Sequence, residues 1–289
     1  MICTLCPRRC GAERRETEGK GFCAMPAGIR VARAALHMWE EPPISGVNGS
    51  GTVFFSGCTL RCRYCQNGSI SAGGFGKAIT AERLREIFEE LIARGAHNIN
   101  LVTPTHFLPW ILPALEPKLP VPVVYNCGGY ESVETLRQLE GKVDIYLPDL
   151  KYADGELAGR LSAAPDYFPV ATAAIREMFR QTGPCVLEDG LLKRGVVIRH
   201  LVLPGQMDNT RRCIDWVAEN FQPGEVLFSL MSQYTPQPDA EGVLRRHVTR
   251  SEYRAAVAYM ENCGITDGFT QERTAARAEY TPPFDLTGV

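Results

Sequence analysis

Between Gly57 and Asn67 the chain runs Gly-Cys-Thr-Leu-Arg-Cys-Arg-Tyr-Cys-Gln-Asn, so Cys58, Cys62 and Cys65 fall in a CxxxCxxC pattern directly after the apolar run Val53-Phe54-Phe55. A strand ending there throws three thiols onto one loop at its carboxyl end, where parallel α/β sheets and barrels carry their chemistry. Three thiolates on so short a loop suit a polynuclear cluster. A cubane iron–sulfur cluster has four corners and the loop supplies three ligands, leaving one iron open to an exogenous ligand; a structural zinc site is closed by four. The alternative is three core cysteines, but the interleaved Arg61, Arg63 and Gln66 argue against a dry loop.

At 289 residues the chain has room for one large α/β domain and a small appendage. A net charge of −2 with 22% charged residues gives no basic field and argues against a nucleic-acid partner. The amino terminus lacks the apolar stretch of a signal peptide, and the apolar region from Phe107 to Val124 is broken by five prolines, which argues against a membrane span. Cytoplasmic residence is expected. Eleven cysteines, an odd number, suit a reducing compartment in which thiolates serve metals rather than disulfides.

Residues 1–28 carry Cys3, Cys6, Cys10 and Cys23 among Pro, Gly and Arg, with no apolar periodicity. Such a segment needs a staple. Four thiolates fit a second metal site, yet CxxCxxxC followed by one distant cysteine lacks the second CxxC knuckle of a zinc ribbon. An auxiliary iron–sulfur cluster, zinc and unliganded thiols all stay open. Ile29–Met38 reads as an extended or strand connection that Glu40-Glu41-Pro42-Pro43 ends, so residues 1–45 form a Cys-rich amino-terminal segment and connection, and 46–289 the main domain.

Beyond the first strand, Thr80 caps a helix with Leu84, Ile87, Phe88, Leu91 and Ile92 at helical spacing, stopped by Gly95. Further strands fall near 99–102, 121–126, 143–147, 196–203 and 226–230, with helices between them and a last helix opening at Ser251. The stretch from Tyr152 to Arg194 reads as an irregular excursion with a helix around 173–181, long enough to cap the site. Six strand–helix alternations with near-continuous apolar strands imply an α/β barrel or an open doubly wound sheet, and periodicity does not choose.

The CxxxCxxC loop with an aromatic before its last cysteine resembles that of the radical S-adenosylmethionine (radical SAM) enzymes. Through Gly51-Thr52-Val53-Phe54-Phe55, Asn98-Ile99-Asn100-Leu101-Val102-Thr103-Pro104-Thr105-His106, Asp144-Ile145-Tyr146-Leu147-Pro148-Asp149 and Arg199-His200-Leu201-Val202-Leu203-Pro204-Gly205, almost the whole chain is similar to the PflX-type relatives of pyruvate formate-lyase activating enzyme. The resemblance implies a partial (β/α)6 TIM-like barrel, open at one side. It implies a [4Fe-4S] cluster on Cys58, Cys62 and Cys65, with SAM chelating the unique iron through its amino and carboxylate groups and Tyr64 against the adenine. Reductive cleavage of SAM then gives methionine and a 5′-deoxyadenosyl radical that abstracts hydrogen. The substrate implied is a backbone glycine of a glycyl-radical enzyme, worked on anaerobically with electrons from a flavodoxin- or ferredoxin-type reductant. Modification of a small molecule or peptide is the alternative. A non-enzymatic iron–sulfur carrier or sensor is a remoter one, with no use for an open iron in a barrel.

Asp149 and Lys151 leave the fourth strand at the mouth, where a surface ion pair would stabilise little; the similar Asp-x-Lys of glycyl-radical activating enzymes holds a cation beside SAM and positions substrate. Arg199 lies within an apolar strand and must have a partner, because an unpaired guanidinium is costly to bury; the family places an arginine of this strand on the SAM carboxylate. His200 falls on the opposite face as a packing residue. One departure stands out: activating enzymes carry Gly-Gly-Glu where this chain has Thr103-Pro104-Thr105-His106, so the hydroxyls of Thr103 and Thr105, with His106, are the expected acceptors for the SAM ammonium. Gln66, Asn67 and Asn126 are expected at the mouth as well, and Cys127 faces it at the end of its strand, while Cys185, Cys213 and Cys263 read as packing residues.

Overall fold

The structure, a computed structural model, describes residues 2–271 and 282–289. Its strands are β1 (Ile29–His37), β2 (Ser50–Phe55), β3 (Lys77–Ile79), β4 (Ile99–Val102), β5 (Val123–Cys127), β6 (Ile145–Pro148), β7 (Val186–Glu188), β8 (Leu191–Leu201), β9 (Leu227–Met231) and β10 (Gly268–Thr270). The helices are α1 (Pro42–Ser45), α2 (Gly68–Ser71), α3 (Ala81–Ala93), α4 (Leu108–Ile111), α5 (Val133–Leu136), α6 (Gly155–Ser162), α7 (Tyr167–Thr182), α8 (Met207–Asn220) and α9 (Arg250–Asn262). None is long and apolar enough to cross a membrane.

One sheet holds the elements in the order β10-β9-β8-β6-β5-β4-β2-β1-β3, with β7 beside β8. From β2 through β10 along that path every pairing is parallel, while β1 and β3 add antiparallel strands at one edge. The path does not close on itself, which is the open, partial TIM-like form. Ile29–Met38, read as an extended or strand connection, is strand β1 of the sheet over Ile29–His37. A seventh parallel strand, β10, joins the expected six; three residues are too short a run for alternation to reveal.

Thr80 caps α3 through the Arg83 N–H at 3.2 Å, and Leu84, Ile87, Phe88 and Leu91 are buried beneath it, as their spacing requires. Most of the excursion after β6 is crossover rather than cap. Its helix α7 buries Tyr167, Ala171, Ala174, Ile175 and Met178 and packs on β6 and β8, so it is the crossover between them. The remainder forms α6 and the β7–β8 hairpin.

Strand alternation sorts the two faces. Tyr125, Tyr146, Val196 and Ile198 join the large core between sheet and helices. Val124, Ile145, Leu147 and Val197 form a second, smaller core with Ile44 of α1. Continuing that inner face toward the carboxyl ends gives Asn126, Asp149 and Arg199 above an apolar floor. Period two thus turns one face of three neighbouring strands from apolar to polar just below the loops.

Candidate active site

The loops after β2, β4, β5, β6 and β9, with the end of β8, enclose a cleft of about 1090 Å³, solvent-facing space included. Cys58, Cys62 and Cys65 line it together. Their loop is set by two left-handed residues, Gly57 at φ +79° and Arg61 at φ +50°. Gly57 is required twice over, because a Cβ there would meet Met25 Cγ at 2.3 Å. A turn closes when the Cys65 N–H donates to Cys62 O at 3.0 Å.

Each of the three sulfurs accepts a hydrogen bond. Leu60 N–H donates to Cys58 (3.3 Å), Ser162 Oγ to Cys62 (2.9 Å) and Ser71 Oγ to Cys65 (3.4 Å). Burial pushes the Cys58 thiol up to about 12; it also raises Cys62, against the nearby Lys151 charge. Thiolates here therefore need a cation to neutralise them, and iron bound by the three would supply it while the existing donors orient the ligands. The donor set fits a cluster with three cysteine ligands. Among the described residues no three His, Cys, Asp or Glu side chains are grouped to hold a single ion.

Beside the thiols lies a buried charge network. Asp149 Oδ1 accepts from Arg199 Nε at 2.9 Å and Oδ2 from Lys151 Nζ at 2.5 Å. The same guanidinium donates to Glu40 Oε1 at 2.9 Å and to Asn126 Oδ1 at 2.7 Å. Glu40 Oε2 accepts from Asn100 and Asn126, each at 3.0 Å. Two carboxylates thus balance two cations, which is how buried charge is tolerated. Burial alone would raise the Asp149 carboxyl, but Arg199 and Lys151 outweigh it and hold the group below its usual value. Glu41, buried next to Glu40, is pushed up by burial, and among the described residues its Oε2 has no hydrogen-bond partner.

Tyr64 is buried with its ring on the cleft, edge-on to Tyr152 and tilted against Tyr234, and its hydroxyl accepts from Tyr152 at 2.8 Å. Gln66, Asn67, Thr103 and Asn126 line the same cleft, Gln66 donating to Gln233 O at 3.0 Å. Thr105 and His106 do not. The backbone turns at Thr103 (φ +59°) into a short 3-10 helix. Thr105 then donates to Glu131 Oε1 at 2.9 Å, and His106 Nε2 bonds Ser56 O at 2.7 Å. Burial pulls His106 down to about 4, so it is a neutral packing residue. His200 is fully engaged with Leu150 O and Thr210 Oγ1, as its face predicts.

Arg199 has the partners its burial demands, Asp149 and Glu40; sequence reasoning missed the second of these, along with Glu131. Glu40 reaches in from the loop at the amino end of β2, and nothing in its surroundings except the proline pair after it marks that path. Glu131 lies behind the cleft, where burial pushes it up to about 7 against hydrogen bonds from Thr105, Tyr125 and Cys127. Cys127 is buried on the cleft wall, and Cys185, Cys213 and Cys263 are not among its lining. In the amino-terminal segment Cys3 and Cys6 are buried, Cys23 half-buried and Cys10 exposed.

Residues 52–217 match the family model described as the radical SAM superfamily. An uncharacterized protein of Methanocaldococcus jannaschii is 31% identical over 275 residues, covering 91% of this chain and 75% of that protein. Among solved structures, Streptococcus suis SuiB bound to S-adenosylmethionine is similar with a TM-score of 0.51 at 14% identity, over 75% of this chain and 48% of that one. SuiB bound to precursor peptide SuiA gives 0.51 at 13%, over 75% and 47%. The chain spans about half the length of these structures, and at such identity the likeness is one of fold.

Proposed function

The chain belongs to the radical SAM superfamily, and on that premise we propose that Cys58, Cys62 and Cys65 hold a [4Fe-4S] cluster and that SAM occupies the cleft they line. When bound, cluster and SAM together supply a carbon-centred radical that removes a hydrogen atom from substrate. The observation that carries this reading is that all three sulfurs, each already met by a hydrogen-bond donor, share one cleft wall at the strand ends.

The chain's own residues bind and orient. Tyr64 offers its ring to the adenine, and the hydroxyl of Thr103 together with Asn126 meets the polar end of SAM. Arg199 donates toward the SAM carboxylate with donors left over from Asp149, Glu40 and Asn126. Asp149 and Lys151 fix the charge beside it and the position of substrate. A flavodoxin- or ferredoxin-type protein delivers the electron, in a reducing cytoplasm that keeps the eleven cysteines out of disulfides.

The substrate we favour is a glycine backbone of a glycyl-radical enzyme. The mouth is solvent-facing, because α7 packs on the back of the sheet rather than over the cleft. A neighbouring cleft of about 760 Å³ lies across Tyr64 and Tyr234 from the first, and the two clefts side by side offer an extended segment contacts on either side of that tyrosine pair. The same contacts serve a peptide that is modified and released, which is the second reading. Anaerobic incubation with SAM, reductant and a candidate glycyl-radical protein separates them. Activation leaves a stable protein radical by EPR with one 5′-deoxyadenosine formed per radical. Repeated turnover with no stable radical on such a partner counts for the second reading.

A further inference from the structure

The amino-terminal segment repeats the construction of the Cys58 loop. It is built on two tight turns. In one, Arg9 N–H donates to Cys6 O at 3.0 Å; in the other, Ala24 N–H donates to Gly21 O at 2.9 Å. Arg9 and Ala24 are left-handed, at φ 38° and 56°. The Arg8 N–H within the first turn faces Cys6, and the Met25 N–H just past the second faces Cys23, each from two residues on. Leu60 N–H meets Cys58 in the same relation. An N–H so aimed orients the sulfur as a ligand.

The other two cysteines converge on the same place. Cys3 is buried and tied by its N–H to Ala12 O at 3.0 Å. Cys10 Sγ lies against Gly21, where a Cβ would stand 3.1 Å from it. Cys23 is within charge–charge range of Cys3, Cys6 and Cys10.

This unit is docked on the cluster loop. Arg8 donates to Thr59 O at 2.9 Å and to Ser162 O at 2.8 Å, with its guanidinium 4.0 Å over the Phe22 ring. Arg61 returns a bond to Phe22 O at 3.2 Å, and Cys23 O is 3.1 Å from where a Cβ of Gly57 would be. The Phe22–Cys23 turn therefore touches the residue that precedes Cys58.

We propose that Cys3, Cys6, Cys10 and Cys23 hold a second, closed iron–sulfur cluster, seated against the loop of Cys58, Cys62 and Cys65. Four thiolates occupy every corner of a cube and leave no iron for substrate. The CxxCxxxC spacing lacks the paired knuckles of a zinc ribbon.

The test is iron and zinc analysis with EPR on protein reconstituted anaerobically with iron and sulfide. Wild-type protein should carry about eight irons per chain and the Cys58→Ala, Cys62→Ala, Cys65→Ala protein about four, the latter with a reduced-state EPR signal that SAM does not alter. The Cys6→Ala, Cys23→Ala protein should fall to about four and keep the SAM-responsive signal; this arm decides the matter even if the triple variant does not fold. Stoichiometric zinc in the four-cysteine site, or iron in the Cys6→Ala, Cys23→Ala protein equal to wild type, overturns the proposal. Loss of the SAM-responsive signal from wild type would instead refute the reading of Cys58, Cys62 and Cys65, and leaves this site standing on its own iron count.

Discussion

Arg199 holds the cleft's charge in balance, since buried Asp149 and Glu40, whose side chain is only 12% exposed, both depend on it. Arg199→Ala leaves two carboxylates to share Lys151, and breaking a buried pair from one side costs about 3–5 kcal/mol. We expect SAM affinity, measured by equilibrium binding to cluster-loaded protein, to fall at least tenfold with iron content unchanged. Wild-type affinity would make the residue purely structural. His200 permits a pH test. Burial pulls it from about 6.5 to about 4, so from pH 7 to 5 the unfolded chain takes up a proton the folded chain refuses, and stability falls by about 2 kcal/mol. Buried Glu131, pushed up to about 7, works in the opposite sense over the same range. Replacing His200 with Asn in cluster-free protein should therefore improve stability at pH 5, relative to pH 7, by about 2 kcal/mol over the parent in urea melts. An identical pH dependence in the two proteins would contradict this.

At the scale of elements, the cluster loop depends on what precedes it. Gly57 sits at φ +79° against Met25 and Cys23, so Gly57→Ala should cost at least about 1–2 kcal/mol from backbone conformation alone and reduce iron loading. A thermal melt and an iron count indistinguishable from wild type would show that the contact yields. This loop was legible in sequence because three thiols follow an apolar strand, and α3 was legible because its cap and apolar stripe agree. Thr105 and His106 were misplaced for a local reason: the turn at Thr103 rotates the backbone after the strand ends, beyond the reach of alternation. Glu40 was hidden because its partner lies 159 positions away. The crossover helix α7 looked like a cap because the short hairpin after it disguised where β8 begins.

For the molecule as a whole, an open parallel sheet gathers strand-end loops from across the chain into one cleft, and strand alternation supplies an apolar floor below a polar, charge-balanced wall. That construction suits a reaction whose reactive species must be kept from water while a substrate enters from solvent. We propose that the three thiols of the cluster loop make this cleft a site of SAM cleavage. Its most direct measurement is 5′-deoxyadenosine formed by anaerobic, iron-loaded protein given SAM and a one-electron reductant. Wild-type protein should give reductant-dependent product and the folded Cys58→Ala, Cys62→Ala, Cys65→Ala protein none; equal product from both would rule out SAM cleavage at these thiols.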